Sequence, residues 1–401
     1  MPPASVLTRV CFRSLPLLAA VFAAALSVPV QAAAPTAKIL ETRVISDEPQ
    51  YYFGWATVAT RRNGDLVLTY SGGRDGHVCP FGRVDMMVSH DEGRNWSWPR
   101  TILDTDIDDR DSGVLETAKG TLIATTFTAN SYEKYLDEAE KGKSAEFGVG
   151  GGQMVKAIPA GRLAAWKAAR DRLSPEERKA QTGAWIIRST DNGASWSPQI
   201  RVPVNSPHGP ILLKSGRLLY LGKKMSAPDL AGVCESTDDG LTWKWIADIP
   251  VRKGDTYDDY HELHAVEAAN GTIIGQIRNH SQTNTRETLQ TESTDGGKTW
   301  TTPHPIGVWG LPSHLLKLKD GRLVMSYGHR RKPFGNEARI SSDNGKTWSE
   351  PIMLSPDSTN SDLGYPSTVE LKDGSLLTVW YEKMPGMAKT ALRQAHWTLA
   401  P

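Results

Sequence analysis

The chain has 401 residues, 39% of them apolar and 23% charged, with a formal charge of +1. That is the composition of an ordinary globular protein, long enough for two or three domains or one large repeat structure. A charge so near zero gives no support for nucleic-acid binding.

Residues 1–34 read as a secretory signal peptide. Arg9 and Arg13 form a basic start, Leu15 to Val28 is a short apolar run, and Val30-Gln31-Ala32 with Ala33 and Ala34 offers small-residue cleavage sites. The run is too short and wrongly flanked for a membrane span. No Cys follows it, which argues against a lipid anchor. The expectation is a secreted or periplasmic protein cleaved near Ala32–Ala34. Cleavage would leave 44 basic and 45 acidic residues, and two cysteines, Cys79 and Cys234. These could pair in an oxidising compartment, although they fall in different repeats.

Two repeats organise the remainder, residues 35–401. Gly64, Gly120, Gly216, Gly271, Gly321 and Gly374 are each followed two residues later by Leu or Ile, in a strand–turn–strand pattern. The second repeat reads Ser-x-Asp-x-Gly-x-Thr/Ser-Trp. It runs from Ser89 to Trp96 (with Asn95 in place of the hydroxyl residue), Ser189 to Trp196, Ser236 to Trp243, Ser293 to Trp300 and Ser341 to Trp348. The Asp can accept backbone hydrogen bonds two or so residues on, and Gly supplies a positive φ. Each copy therefore marks a hairpin. Five of the thirteen Trp belong to it. Six hairpins of one kind and five of the other make an all-β, six-bladed β-propeller of about four strands per blade. The last blade lacks the second turn, so the alternating strand Lys38 to Ile45 is expected to complete it.

From blade glycine to the following Ser is 20 to 25 residues, except for 69 in the second blade. Residues 131–183 are therefore an insertion, helical in composition, with Ser174-Pro175-Glu176-Glu177 as a capping box. It could lid a pocket, hang outside as an appendage or meet another subunit. Its glycines, at 148 and 150–152, lack the Lys-Ser/Thr of a phosphate loop and read as a linker.

The turns resemble the Asp-boxes (BNR repeats) of sialidases and related propellers, a likeness that speaks for fold far more than for function. In such propellers the innermost strands point one end at the axis. Nine residues before the six glycines lie Trp55, Asp111, Pro207, Glu262, Pro312 and Tyr365. Polar groups converging in a concavity are the default site. Glu262-Leu263-His264-Ala265-Val266-Glu267, with Arg278 beyond, is similar to the sialidase strand that bears a catalytic Glu and one carboxylate-binding arginine. Gly364-Tyr365-Pro366-Ser367-Thr368 is similar to the one bearing the nucleophilic Tyr. The resemblance implies an exo-glycosidase for a terminal acidic sugar. A phenol near pKa 10 becomes a nucleophile when a carboxylate takes its proton, and Tyr suits a substrate whose own carboxylate would repel another. Arg278 and either Arg330 or Arg331 would hold that carboxylate.

The sequence departs from the family at two points. Tyr52-Phe53-Gly54-Trp55-Ala56 has no arginine where sialidases begin Arg-Ile-Pro, and Trp55 suggests a stacked sugar ring instead. Gly73-Arg74 resembles the arginine after the second strand, but the acid expected beyond it falls at Pro80. Asp75, His77 or Asp111 could supply the proton. His208, His261, His264 and His314 lie near inner-strand ends as candidate pocket residues. His261-Glu262-Leu263-His264 is not a helical zinc motif, so no metal or cofactor is expected there. Asp106-Ile107-Asp108-Asp109-Arg110-Asp111 could bind Ca²⁺, contact sugar hydroxyls or be a solvated loop. Two alternatives stand beside the exo-glycosidase. One is other carbohydrate chemistry, as a uronide lyase or a hydrolase assisted by His77, His261 or His264. The other is a glycan-binding propeller without catalysis.

Overall fold

A computed structural model describes residues 1, 36–46, 48–142, 146–149, 153–156, 158–159, 161–282 and 287–399. Apart from Met1, the expected leader lies outside them. Six antiparallel sheets follow one another along the chain. Blade 1 is Tyr52–Thr60, Leu66–Arg74, Arg83–Ser89 and Arg100–Leu103. In blade 2 the inner strand is broken into Asp108–Arg110 and Val114–Glu116, followed by Leu122–Ala129, Gly183–Ser189 and Ile200–Val202. Blade 3 is broken likewise, Val204–Asn205 and Ile211–Leu212, before Leu218–Lys224, Ala231–Ser236 and Lys244–Asp248. Blade 4 is Tyr260–Glu267, Ile273–Asn279, Leu289–Ser293 and His304–Pro305. Blade 5 is Ser313–Lys317, Leu323–His329, Gly335–Ser341 and Ile352–Ser355. Blade 6 takes Leu363–Glu370, Leu376–Glu382 and Ala391–Leu399 from the end of the chain, and its outer strand Ala37–Val44 from the start. Ala37 faces Leu399 and Val44 faces Arg393. The propeller and its closing strand are as predicted.

The core lies between blades. Six apolar clusters each join two neighbours: Trp55, Leu68 and Met87 of blade 1 pack with Val369, Leu377 and Leu392 of blade 6, for instance. Fully burying one such side chain is worth about 1.5–3 kcal/mol. Polar staples repeat on alternate seams. Glu116, Glu267 and Glu370 accept backbone N–H bonds from Arg62, Lys214 and Lys319 of the preceding blades, at 2.7, 2.6 and 2.7 Å.

The Asp-box chemistry is the same in all five turns. The Ser hydroxyl donates to the Asp and accepts from the Gly N–H, while the Asp takes the backbone N–H and side chain of the seventh residue. Asn95 fills that place by donating its amide to Asp91 at 2.7 Å, which explains the one lapse in the pattern. Gly is required twice over. At Gly93, for example, φ is +83° and a Cβ would come 2.5 Å from Leu377 of the preceding blade. The box Trp fills the same seam, Trp96 packing on the cluster shared by blades 1 and 6.

Three helices, Glu133–Glu140, Leu163–Asp171 and Pro175–Gln181, and a hairpin of Glu146–Val149 with Gln153–Lys156 lie between the second and third strands of blade 2. Of the glycine run expected as a linker, Gly148 lies in the strand Glu146–Val149, and residues 150–152 lie outside the described set. The capping box is present, Ser174 and Glu177 exchanging bonds of 3.2 and 2.8 Å. Tyr132, Leu136 and Trp166 pack on Val78 and Cys79 of the loop after the second strand of blade 1. Cys79 and Cys234, whose pairing the sequence left open, lie in separate blades, buried and unpaired. No helix among the described residues is long and apolar enough to cross a membrane.

Candidate active site

A regular strand alternates its side chains between the two faces of a sheet, so something must turn a residue toward the axis. Trp55, Asp111, Glu262 and Tyr365 all have left-handed backbones, with φ of +55°, +52°, +45° and +50°. The cost to a bulky L-residue is of order 1–3 kcal/mol. In blades 1, 4 and 6 each sits at a register shift in the inner strand, between Gly54 and Thr57, His261 and His264, and Gly364 and Ser367. In blade 2 it sits in the strand break. Bulges of this kind re-aim a side chain. Pro207 and Pro312, whose rings fix φ near −65°, mark the two blades that present no such group.

Two of these heads meet. The Tyr365 hydroxyl donates to Glu262 Oε1 at 2.6 Å, and Arg278 Nη1 donates to Glu262 Oε2 at 2.5 Å and to the Tyr365 oxygen at 3.0 Å. Burial works to raise the pKa of Glu262, but the charge and hydrogen bond of Arg278, with the Tyr365 hydroxyl, hold it at about 2. Burial and the neighbouring Glu262 push Tyr365 well above its ordinary value. At rest the proton is on the phenol and the charge on the carboxylate. Asp111 behaves oppositely. Burial and the charge of Glu262 raise it to about 7 against the pull of Arg110, Arg74 and Arg278, so it can carry a proton near neutrality. Arg330 lies over the Tyr365 ring at 5.5 Å and is anchored on the Leu363 carbonyl at 3.1 and 2.8 Å.

Residues 153–378, more than half of the chain, match the model of the BNR repeat-like domain. The chain belongs to this family. Among solved structures, a protein of unknown function from Dyadobacter fermentans is 24% identical with a TM-score of 0.70, over 91% of this chain and 99% of that one. The NanB sialidase of Streptococcus pneumoniae is 16% identical with a TM-score of 0.61, over 90% and 70%. A leech intramolecular trans-sialidase is 15% identical with a TM-score of 0.59, over 91% and 70%. These identities speak for the fold alone. A xyloglucanase from Paenibacillus is 27% identical over 203 residues, 45% of this chain. The xyloglucanase Xgh74A of Acetivibrio thermocellus is 25% identical over 184 residues, 41% of this chain. Each match spans only about a fifth of the relative's length, 19% and 20%.

Several residues of this BNR-repeat propeller sit otherwise than their sequence implied. Arg74, expected to bind substrate, is fully buried with its donors consumed. It pairs with Asp108 at 2.7 and 3.0 Å and donates to Ser71 and to the carbonyls of Gly76, His77 and Asp109. Trp55, expected to stack on sugar, is 1% exposed and covered by the guanidiniums of Arg74 and Arg110 at 4.9 and 4.6 Å. Asp75, a candidate acid, is drawn to the insertion by Arg162 at 2.9 Å and the Trp166 indole at 2.8 Å. The insertion thus braces the loop that carries His77.

His208, His264 and His314 form a floor rather than a wall, 3%, 5% and 8% exposed. Their rings lie 4.6 to 5.4 Å apart. His264 and His314 accept the N–H groups of Leu315 and Thr368. Burial keeps all three neutral, pulling His208 down to about 3. His261 is outside this cluster, stacked on His280 at 4.3 Å. Arg331 lies over Trp309 at 5.0 Å, leaving Arg330 as the arginine beside Tyr365. Among the described residues, no group of three His, Cys, Asp or Glu could hold a metal ion. In the acidic run, Asp108 is taken by Arg74, and Asp109 accepts from Thr105.

Two groups escaped the sequence reading. Arg110, read only as part of an acid-dense loop, lies over Trp55, and its buried Nε has no protein partner. It brings a guanidinium from blade 2 over the inner-strand head of blade 1, where the sequence has Trp55 and no arginine. Asp362 gathers the hydroxyls of Tyr52 and Tyr381 at 2.9 and 3.2 Å and His77 Nδ1 at 3.0 Å. A carboxylate only accepts, so Nδ1 carries the proton. His77 in turn stands edge-on to Trp55 at 5.0 Å. Nothing in the sequence near Asp362 announces it, since its partners come from opposite ends of the chain.

Proposed function

We propose that this propeller is a glycoside hydrolase that removes a terminal acidic sugar, with sialic acid or a related sugar as substrate. The observation that carries this reading is the 2.6 Å hydrogen bond from the Tyr365 hydroxyl to Glu262, with Arg278 bridging both. Tyr365 is the nucleophile. Its oxygen bonds to the anomeric carbon while its proton passes to Glu262, and the glycosidic C–O bond breaks as Asp111 protonates the leaving oxygen. Water then attacks the glycosyl–tyrosine intermediate. Asp111, now a carboxylate, takes the proton from that water, and Tyr365 recovers its own from Glu262. Two displacements retain configuration, in the manner of the Tyr-dependent exceptions to the two-carboxylate rule.

Arg278, Arg330 and Arg110 are the candidates to hold the substrate carboxylate, and Arg278 and Arg110 have buried Nε groups without partners. A carboxylate that engages Arg278 would also weaken its hold on Glu262. The base would thereby strengthen only when substrate is bound. The reading asks for no cofactor, and it includes export of the chain, for which the basic start and apolar run of the leader speak. The sialidases and trans-sialidase among the similar folds and the xyloglucanases among the relatives support glycoside chemistry in general. The deciding experiment is a screen of aryl glycosides of sialic, uronic and neutral sugars with wild type and Tyr365→Phe. Turnover of an acidic glycoside is expected to fall at least about 10³-fold in the variant, with the circular dichroism spectrum unchanged. Equal turnover would end the mechanism.

A second reading is favoured by the Asp362–His77 contact. A carboxylate-oriented imidazole is an acid–base group in its own right, and it would serve elimination from a uronide. An unsaturated product absorbing in the ultraviolet separates the two.

A further inference from the structure

We propose that the seam between blades 1 and 6 carries a second ligand site, one for a neutral sugar unit. A pocket of about 230 Å³ opens there. The seam is where the closing strand ends and the first Asp-box turn begins. Ile45 and Ser46 follow the strand Ala37–Val44 on one side, and Trp96 to Pro99 leave the box on the other. None of the groups assigned to the Tyr365–Glu262 chemistry lines it.

Three features point to a sugar. Trp98 is 77% exposed, more than any other large apolar side chain among the described residues of the propeller. Exposed aromatic area at the lip of a pocket marks a binding surface, and an indole face packs against the C–H face of a pyranose. Tyr70, also lining the pocket, is fully buried, yet its hydroxyl has no partner among protein atoms. A buried hydroxyl left unpaired is costly, and a ligand hydroxyl would satisfy it. Glu48 and Ser46 supply further acceptors, and among the described residues no Lys or Arg lines the pocket. That lining is the reverse of the arginine-rich mouth. It repels a carboxylated or phosphorylated ligand and suits uncharged hydroxyls.

Binding of cellohexaose, xylohexaose and mannohexaose to the full chain, followed by tryptophan fluorescence and calorimetry, tests the assignment. At least one should bind saturably. Trp98→Ala should weaken that binding at least about tenfold, as loss of an aromatic anchor does. Tyr70→Phe, which keeps the ring and removes only the hydroxyl, should weaken it by a smaller factor. Trp98→Ala should leave turnover of a small acidic aryl glycoside unchanged. Absence of saturable binding by all three probes, or equal affinity in wild type and Trp98→Ala, overturns the site. These binding readouts stand whether or not the central hollow hydrolyses anything.

Discussion

The two ends of the sheets use the same backbone conformation for opposite purposes. Among the described residues, eight non-glycine residues have positive φ. Four of them, Glu92, Asn192, Asp239 and Asn344, sit in Asp-box turns. The other four are the heads Trp55, Asp111, Glu262 and Tyr365. At the box end, Asn and Asp enter the left-handed region readily, and a repeated set of side-chain hydrogen bonds holds the turn. At the mouth two of the four residues are large aromatics, each head has a different side chain, and the strands must bulge or break to admit them. Repetition therefore marks where the chain is being folded, and departure from repetition marks where it is aimed.

The sharpest way to break this division is Glu262→Gln, which keeps size and removes the base. Turnover should fall about 10²–10⁴-fold, and because Arg278 loses its charged partner the melting temperature should fall as well; an active variant would strip the mouth of its chemistry. Asp111→Asn should cost a comparable factor through loss of the acid. In wild type, kcat/KM should decline as pH rises through about 7, because Asp111 is raised to about 7 and must be protonated to act. The sign for stability follows from the same shift. The folded pKa exceeds the ordinary carboxylate value, so wild type loses stability as pH climbs from about 4 to 7. Asp111→Asn should therefore gain melting temperature over that window, by most at pH 8 and by least at pH 4. Arg110→Ala should raise KM for an acidic glycoside about tenfold or more, with a smaller change in kcat, as expected for loss of a charged hydrogen bond. The smallest effect belongs to the other end. Asp343→Ala removes the acceptor of Ser341 and Thr347 and should lower stability by about 1–2 kcal/mol, with KM and kcat untouched.

The sequence was most legible where structure is local. An Asp-box is eight residues whose bonds lie within themselves, so five copies could be read without knowing the fold. Tyr365 and Glu262 were legible by a different route: each stands a fixed nine residues before a blade glycine, so register carried them to one level. What stayed hidden was set between blades. Arg74 looked available because Asp108, which consumes it, belongs to the next sheet. Trp55 looked like a platform for sugar because the arginines that cover it come from positions 74 and 110. Asp362 had no motif around it, and two of its three partners, Tyr52 and His77, lie 310 and 285 residues away. The histidines read as pocket residues because their spacing is that of the inner strands; only packing puts them beneath the mouth and dries them out.

The strand Ala37–Val44 has one more consequence. With Ala37 directly opposite Leu399, the two ends of the propeller can be spliced by a short flexible peptide, and fresh termini can be cut in the excursion near Gly142. Such a circular permutant would keep every sheet yet possess no free outer strand to peel away. Its resistance to unfolding, set against that of the parent, would measure how much the natural join contributes.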